Sequence, residues 1–522
     1  MFHPVPDHTS VSSKPSPQPW LVGIDGLLWA AVGLIVGLLW MHVLITRLLA
    51  RAAQSDVWWS WVLGRWEITH HQVYAYNLPA FNGVQASGPW INLEWGWQAL
   101  LGWTFPHGLH GWPLTALLWG SGLLLIVSMA ALLRLVYQPT MLLPALAVLP
   151  WILLAGDWPL RPQILSASFW LILLGLLASS LYHPRRLWAI IPLWLMWSTL
   201  HGDWILVPLL LMWQIGWLLW TFWRQGTDTV NTFWAALAKT FGVLVIGATL
   251  LTWLNPFHTR LWTTAIHLTG NPLITRVIQE WQSPVWTEPY WTGLALSWAL
   301  IILLWAAHKV PQGPWMGWWA GTVLATLWHQ RMALYNLPLT VLLLASALLP
   351  VWPQWGGAPE RLMSSAWQQW LRPAIWSFSG GLMLAGLLGL SPLAGPAFDT
   401  AYARAMHPPT WPVATWCAQH PTTGLTLTPY RLGGVWEAAG NREVFLDGRT
   451  LWWIQHHRLQ PYLAWQDGDL PVSALAHFGV TRIVWPTTAT TPQTLWLHQA
   501  HWHQVYHAEG LTVWQSFRRS SR

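Results

Sequence analysis

Only 8% of the 522 residues are charged, so a charged side chain at the end of an apolar run stands out as a candidate for chemistry. Asp56 is such a residue, in "RLLARAAQSDVWWSWVLGRWEITHHQ" (47–72), crowded by tryptophans. A carboxylate under aromatic cover at a bilayer surface can take a proton from a hydroxyl, because partial desolvation lifts its pKa toward a useful range. Ser55 and Asp56 are equally good N-capping types for an interfacial amphipathic helix over "VWWSWVLGRWEI". Glu94, in "GPWINLEWGWQ", either suits the dipole of a short helix or is a second carboxylate facing Asp56. Arg161, in "GDWPLRPQ", either starts a helix ahead of Pro162 or grips a phosphate in its guanidinium fork. His201 and Asp203, in "STLHGDW", are a proton-transfer pair, a fragment of a metal site or a structural pair, and two residues do not make a metal site. Glu280, in "VIQEWQSPVW", is an acid in an aromatic setting, suited to packing or to catalysis. Arg331, in "WHQRMALYN", calls for an anion at membrane depth, or snorkels to lipid headgroups.

These residues sit between apolar stretches that predict a mostly α, polytopic membrane protein. Hydrophobic residues make up 54% of the chain and the mean hydropathy is +0.35, whereas a soluble domain carries about 25% charged residues. Tryptophan is abundant, at 51 residues, and favours the headgroup level, where its ring is part apolar and its N–H stays wet. A Pro/Ser-rich segment, 1–19, reads as a disordered cytoplasmic tail. The apolar run 21–50 is too long for a signal-peptide core and reads as an uncleaved first span. Further runs centre on 112–136, 140–156, 162–182, 187–200, 203–223, 235–254, 291–307, 314–328, 332–350 and 374–392, for about 11 spans in all. The stretch 94–106 is too short to cross and reads as an interfacial or re-entrant helix within a first outer loop, 51–111. With the N-terminus in the cytoplasm, that side receives Lys14, Arg134, Arg185, Arg186, Arg224, Lys239, Lys309, Arg361 and Arg372, as the positive-inside tendency requires. The opposite side then collects Asp56, Glu67, Glu94, Asp157, Asp203, Glu280 and Glu288.

After the membrane region, 20–395, the composition becomes more polar, and 396–522 reads as a small extracytoplasmic α/β domain. "GLTLTPY", "EVFLDGR", "TRIVW" and "LTVWQSF" are its predicted strands. Gly433-Gly434 and Asp447-Gly448-Arg449 read as turn chemistry. The net charge of +7 is spread along the chain, which leaves no basic patch for nucleic acid. Cys417 is the sole cysteine, so no intrachain disulfide forms. There is no Walker loop, no GxGxxG ahead of a helix, no CxxC and no HExxH, and no residue is assigned to a metal.

The order of "SDVWWSWVLGRWEI", "GPWINLEWGWQALL", "RPQILS", "LHGDW", "LNPFHTRLW", "EWQSP", "RLGGVWE" and "VFLDGR" resembles a mostly uncharacterised family of bacterial membrane proteins related to the GT-C glycosyltransferases. The resemblance runs from about residue 24 to the C-terminus. It implies a plasma-membrane enzyme that takes a sugar from a polyprenyl-phosphate carrier and passes it to a lipid, glycan or protein acceptor at the extracytoplasmic face. GT-C enzymes carry an essential acid just after the first span, and Asp56 falls there; Glu94 is a second match late in the same loop. The family pattern often has a His where this chain has Trp59 or Ser60. By this resemblance Asp56 is a general base or a ligand to a divalent cation, although nothing in the sequence requires a cofactor. Arg161 and Arg331 would hold the carrier phosphate, and His201, Asp203 and Glu280 would shape the sugar pocket. The competing expectation is a non-catalytic scaffold of the same architecture, or a lipid or glycan transporter. A transporter places paired polar residues near mid-span, whereas here they gather at the outer span ends.

Overall fold

The computed structural model describes residues 55–73, 90–109, isolated positions between 117 and 132, 161–180, 183–225, 230–307, 309–310, 314–348, 408–441, 443–486, 492–499 and 502–516. The N-terminal tail and the predicted spans 21–50, 140–156 and 374–392 lie outside the described residues, and 112–136 lies almost wholly outside them.

Among the described residues the protein is mostly helical, with one small sheet near the C-terminus. The first described helices are α1 (Ser55–His70) and α2 (Trp95–Thr104). These helices cross at glycine. A Cβ on Gly64 would overlap the backbone of Gln98, and a Cβ on Gly102 would overlap the backbone of Gly64. Only the missing side chains let the two backbones touch. The predicted amphipathic surface helix differs from the observed α1. Val57 and Trp58 join the core of the helical bundle, whereas Trp59 and Leu63 join the core of the C-terminal region. Helix α1 is therefore a wedge with apolar partners on two sides, which is why its tryptophans show no single apolar stripe.

The bundle continues with α3 (Gln163–Ser180), α4 (Ile190–Leu200), α5 (Leu206–Gln225), α6 (Val230–Leu254), α7 (Thr259–Thr269), α8 (Pro289–Ala306), α9 (Pro314–Trp328) and α10 (Ala333–Leu348). Among the described residues, Gly202–Arg224, Phe233–Leu254 and Pro289–Ala306 are long and apolar enough to cross a membrane. Helix α6, with 25 residues, is about 37 Å long at 1.5 Å per residue, enough for a hydrocarbon core of about 30 Å. Exposed Trp220, Trp223 and Trp234 lie near one end of the α5–α6 pair and exposed Trp253 at the far end of α6, as interfacial belts require. Within the bundle, α8, α9 and α10 share a buried polar knot. Trp298 Nε1 donates to Asn336 Oδ1 at 2.7 Å, Asn336 Nδ2 to Thr322 Oγ1 at 3.0 Å and Trp319 Nε1 to Thr340 Oγ1 at 3.0 Å. Each group in the knot has a partner, so its burial costs little.

The C-terminal region carries α11 (Trp411–Gln419), β1 (Leu425–Leu427), α12 (Gly433–Ala438), β2 (Val480–Pro486), β3 (Trp502–Ala508) and β4 (Leu511–Ser516), with short helices between β1 and β2. The strand order is β1-β2-β4-β3, with β1 parallel to β2 and the other pairs antiparallel. Three of the predicted strands form. "EVFLDGR" does not: it makes one isolated bridge, Val444 to Thr426, and then turns, because Asp447 Oδ1 captures the Arg449 N–H at 2.8 Å. Strand β3 has no counterpart in the sequence reading. Most of its residues after Trp502 are exposed or half-exposed, so it shows no clear alternation. Gly433 and Gly434 begin helix α12 rather than a turn, and Gly433 lets that helix close onto Leu446 and Asp447.

Candidate active site

Four helix ends meet at one side of the bundle. Helix α3 starts just after Arg161, α4 ends just before His201, α5 starts just after Asp203 and α10 starts just after Arg331. The last two residues sit on single 3-10 turns, Gly202–Ile205 and Gln330–Met332, and Glu280 lies on a third, Gln279–Trp281. Asp56 lies in the first turn of α1 and Glu94 at the N-cap of α2, where its side chain makes no capping bond.

All seven residues singled out in the sequence come together in one chain of contacts. Asp56 is ion-paired with Arg161. Arg161 Nη1 reaches Glu280 Oε2 at 3.0 Å, and Glu280 Oε1 lies 3.5 Å from Arg331 Nη1. Arg331 Nη2 lies 3.2 Å from Asp203 Oδ1, and Asp203 Oδ2 lies 3.1 Å from His201 Nδ1. His201 Nε2 closes the chain toward Glu94 Oε1 at 3.7 Å. The reading of Arg331 as a snorkelling group does not describe these contacts, and the contact of Asp56 is compatible with a place at a helix start. Asp56 engages Arg161, and Arg331 is 12% exposed with its charge turned inward.

The acids differ in environment. Burial pushes the Glu94 carboxyl above its ordinary value of 4.5; His201 opposes this and the Asp56 charge adds to it. Burial acts to raise Glu280 as well, but Arg161 and Arg331 on either side outweigh it and hold this carboxyl below 4.5. In the cluster four carboxylates face two guanidiniums, and the excess negative charge adds to the upward push on Glu94. Arg161 Nε, also buried, has no hydrogen-bond partner among the described residues. It is a cationic donor left for an anion to satisfy.

The cluster borders an open cavity of about 160 Å³. Asp56, Glu94, Arg161, Glu280 and Arg331 line it. His201 and Asp203 are not among the lining residues; they sit behind, where they brace Arg331. Among the described residues, no group of three or more His, Cys, Asp or Glu side chains is placed to hold a metal ion.

Sequence reasoning missed several supporting groups. Trp59 Nε1 donates to Asp56 Oδ1 at 3.2 Å and so gives this carboxylate a local partner. The Tyr335 hydroxyl donates to Asp203, and its place four residues after Arg331 on a helix was the signal available. Ser166 Oγ lies 2.9 Å from His201 Nδ1, and the Trp281 ring lies under Arg331 at 4.7 Å. Gly448, Arg449 and Thr450, from the C-terminal region, also line the cavity, and no spacing in the sequence links them to Asp56.

No protein-family model matches the sequence, and no curated protein does either. Among solved structures, the chain is similar to the oligosaccharyltransferase of Archaeoglobus fulgidus, tethered to an acceptor peptide containing the NVT sequon. The TM-score is 0.52 at 12% identity, over 94% of this chain and 74% of that one. The fold is of the GT-C type. Similarity extends to ArnT of Cupriavidus metallidurans bound to undecaprenyl phosphate, at a TM-score of 0.46 and 15% identity, over 94% of this chain and 98% of that one.

Proposed function

We propose that the protein is an integral membrane glycosyltransferase that moves a sugar from a polyprenyl-phosphate carrier to an acceptor at the extracytoplasmic face. The observation that carries this reading is the cavity in which Asp56 and Glu94 face Arg161 and Arg331, with Arg161 Nε unsatisfied. Arg161 and Arg331 receive the carrier phosphate, exchanging part of their carboxylate contacts for phosphate oxygens. Asp56 takes the acceptor's hydroxyl proton as that oxygen attacks the anomeric carbon. The carbon–oxygen bond to phosphate breaks, configuration inverts, and the departing phosphate's charge falls on the guanidiniums. Glu94, with its raised pKa, is a second proton-handling group. Asp203, His201 and Tyr335 keep Arg331 in place, and Glu280 spaces the two arginines.

The arrangement in the membrane follows from the same reading. About 11 spans run through 20–395, the 1–19 tail lies in the cytoplasm and 396–522 lies outside it. The acidic cluster then faces the extracytoplasmic side, where a lipid-linked donor and a lipid, glycan or protein acceptor meet. A non-catalytic scaffold is the second reading, favoured by the fact that Asp56 and Arg161 already neutralise each other.

Native mass spectrometry of the protein purified in mild detergent tests the donor. A co-purifying polyprenyl phosphate, or its glycosylated form, that disappears in Arg331→Ala supports the transferase. Ordinary phospholipid alone, even after loading with polyprenyl-phosphate sugars, favours the scaffold or a transporter.

A further inference from the structure

The Asp447–Gly448–Arg449 turn has no role in the chemistry above, yet it lies directly on the candidate base. A Cβ on Gly448 would overlap both Asp56 Oδ1 and Trp59 Nε1, so the backbone there rests on the carboxylate and the indole that orients it. The turn is rigidly held. Asp447 accepts from the Arg449 backbone N–H at 2.8 Å, from Arg449 Nε at 2.8 Å and from Trp453 Nε1 at 2.9 Å. Arg449 Nη2 also reaches Glu437 on α12 at 3.4 Å, and its guanidinium lies over the Trp90 ring at 5.8 Å. Asp447, Arg449 and Glu437 are all at most 5% exposed. Burial pushes the Glu437 carboxyl well above 4.5, aided by the Asp447 charge, while Arg449 outweighs burial at Asp447 and keeps that acid ionised. Three ionisable groups locked out of water are costly, and such a knot more often secures one geometry than stability. The geometry secured here is a wall one atom deep against Asp56.

The C-terminal region is fastened to the same outer surface at two more points. Trp411 packs on Trp58 at 5.1 Å between ring centroids, and Arg276 is ion-paired with Asp467.

We propose that the Asp447–Gly448–Arg449 turn is the positioning wall for Asp56, so that the base is held toward Arg161 and the cavity only when the C-terminal region is docked. This rests on the transferase reading for its effect on rate, but not for its geometry. Gly448 is a positioning residue and is glycine because no side chain fits between the turn and the carboxylate.

The test uses the full-length protein in detergent, with Gly448→Ala and Trp453→Phe beside wild type. The first variant pushes the wall into Asp56, and the second loosens the turn without adding atoms. Carbodiimide labelling of Asp56, read by mass spectrometry against the exposed Asp467 as reference, follows the carboxylate directly. The wall predicts increased Asp56 labelling in both variants with Asp467 unchanged. In an assay with a polyprenyl-phosphate sugar, kcat should fall about 100-fold in Gly448→Ala and less in Trp453→Phe, since displacement by about 1 Å can cost that factor. Binding of undecaprenyl phosphate should be retained, because Arg331 is untouched and displacing Asp56 frees Arg161 rather than removing it. Unchanged Asp56 labelling in both variants overturns the proposal whatever the activity. Raised labelling in a wild-type background that transfers sugar from no polyprenyl-phosphate donor upholds the wall and overturns the transferase reading instead.

Discussion

Arg331 offers the most informative perturbation of the site, because its guanidinium is the hinge between two halves of the charge cluster. It is 12% exposed and touches Asp203 and Glu280, and its Nη2 lies 3.3 Å from His201 Nε2. Removing one member of a buried ion pair typically costs about 3–5 kcal/mol, since the other charge is left without compensation. Asp203 is 15% exposed and Glu280 29% exposed, so water recovers part of that loss and the expected cost of Arg331→Met is about 3 kcal/mol. Asp203→Asn alone leaves Arg331 with Glu280 and should cost less. The double variant removes the charge and its main uncompensated partner together. It should be more stable than the sum of the singles implies, with a coupling of about 1.5–3 kcal/mol. Denaturation of the four proteins in mixed micelles measures this. Additivity within about 0.5 kcal/mol would show that Arg331 and Asp203 do not act as a unit, and the bracing role given to Asp203 would be wrong.

Other consequences follow from particular contacts. Glu94 has a raised pKa, so it gains the ability to accept a proton only above its folded value; transfer should rise with pH through a limb lying above 4.5, and Glu94→Gln should remove that limb from the pH–rate profile. Glu280 has the opposite shift, so the stability that it contributes is present above 4.5 and lost as pH falls from there through its lower folded value; thermal scans at descending pH should show this loss, and Glu280→Gln should not. Gly64→Val drives a branched side chain into the Gln98 backbone, and a cost of about 3 kcal/mol or more should appear as loss of the folded fraction after purification. Burial pushes the Glu437 carboxyl upward, so Glu437→Gln should be nearly neutral in a melting experiment, whereas Arg449→Met, which strands Asp447, should be strongly destabilised.

Much of the site was legible because charge is so scarce in this chain. Asp56, Arg161, His201, Asp203 and Arg331 each stand near the end of an apolar run, and Glu94 and Glu280 lie in the loops between such runs; apolar runs that share a bilayer bring like ends together. Helix ends were legible for the same reason: Pro162, Pro289 and Pro314 lie at or beside observed helix starts. What the sequence hid was pairwise. Nothing in the spacing says that Glu280 lies between two arginines, or that His201 and Asp203 stand behind the cavity. The segment ahead of Asp447 read as a strand because of Val444, Phe445 and Leu446, whereas the turn expected at Asp447-Gly448-Arg449 forms through the capture of the Arg449 N–H. Contacts made across several hundred residues, such as Gly448 on Asp56, carry no local signature. Strand β3 was hidden because its mostly exposed side chains lack the alternation that marks a half-buried strand.

The central claim is that Asp56 is the base of a glycosyl transfer. Its most direct measurement compares wild type with Asp56→Asn in membranes supplied with a pool of glycosylated polyprenyl phosphates, following loss of the donor and appearance of free polyprenyl phosphate by mass spectrometry. The substitution keeps the shape of the side chain and its bond from Trp59, while removing the negative charge and the basicity. The account predicts an unchanged melting profile to within the loss of one ion pair, retained carrier binding and transfer reduced by at least about 100-fold. Wild-type transfer by Asp56→Asn would contradict it.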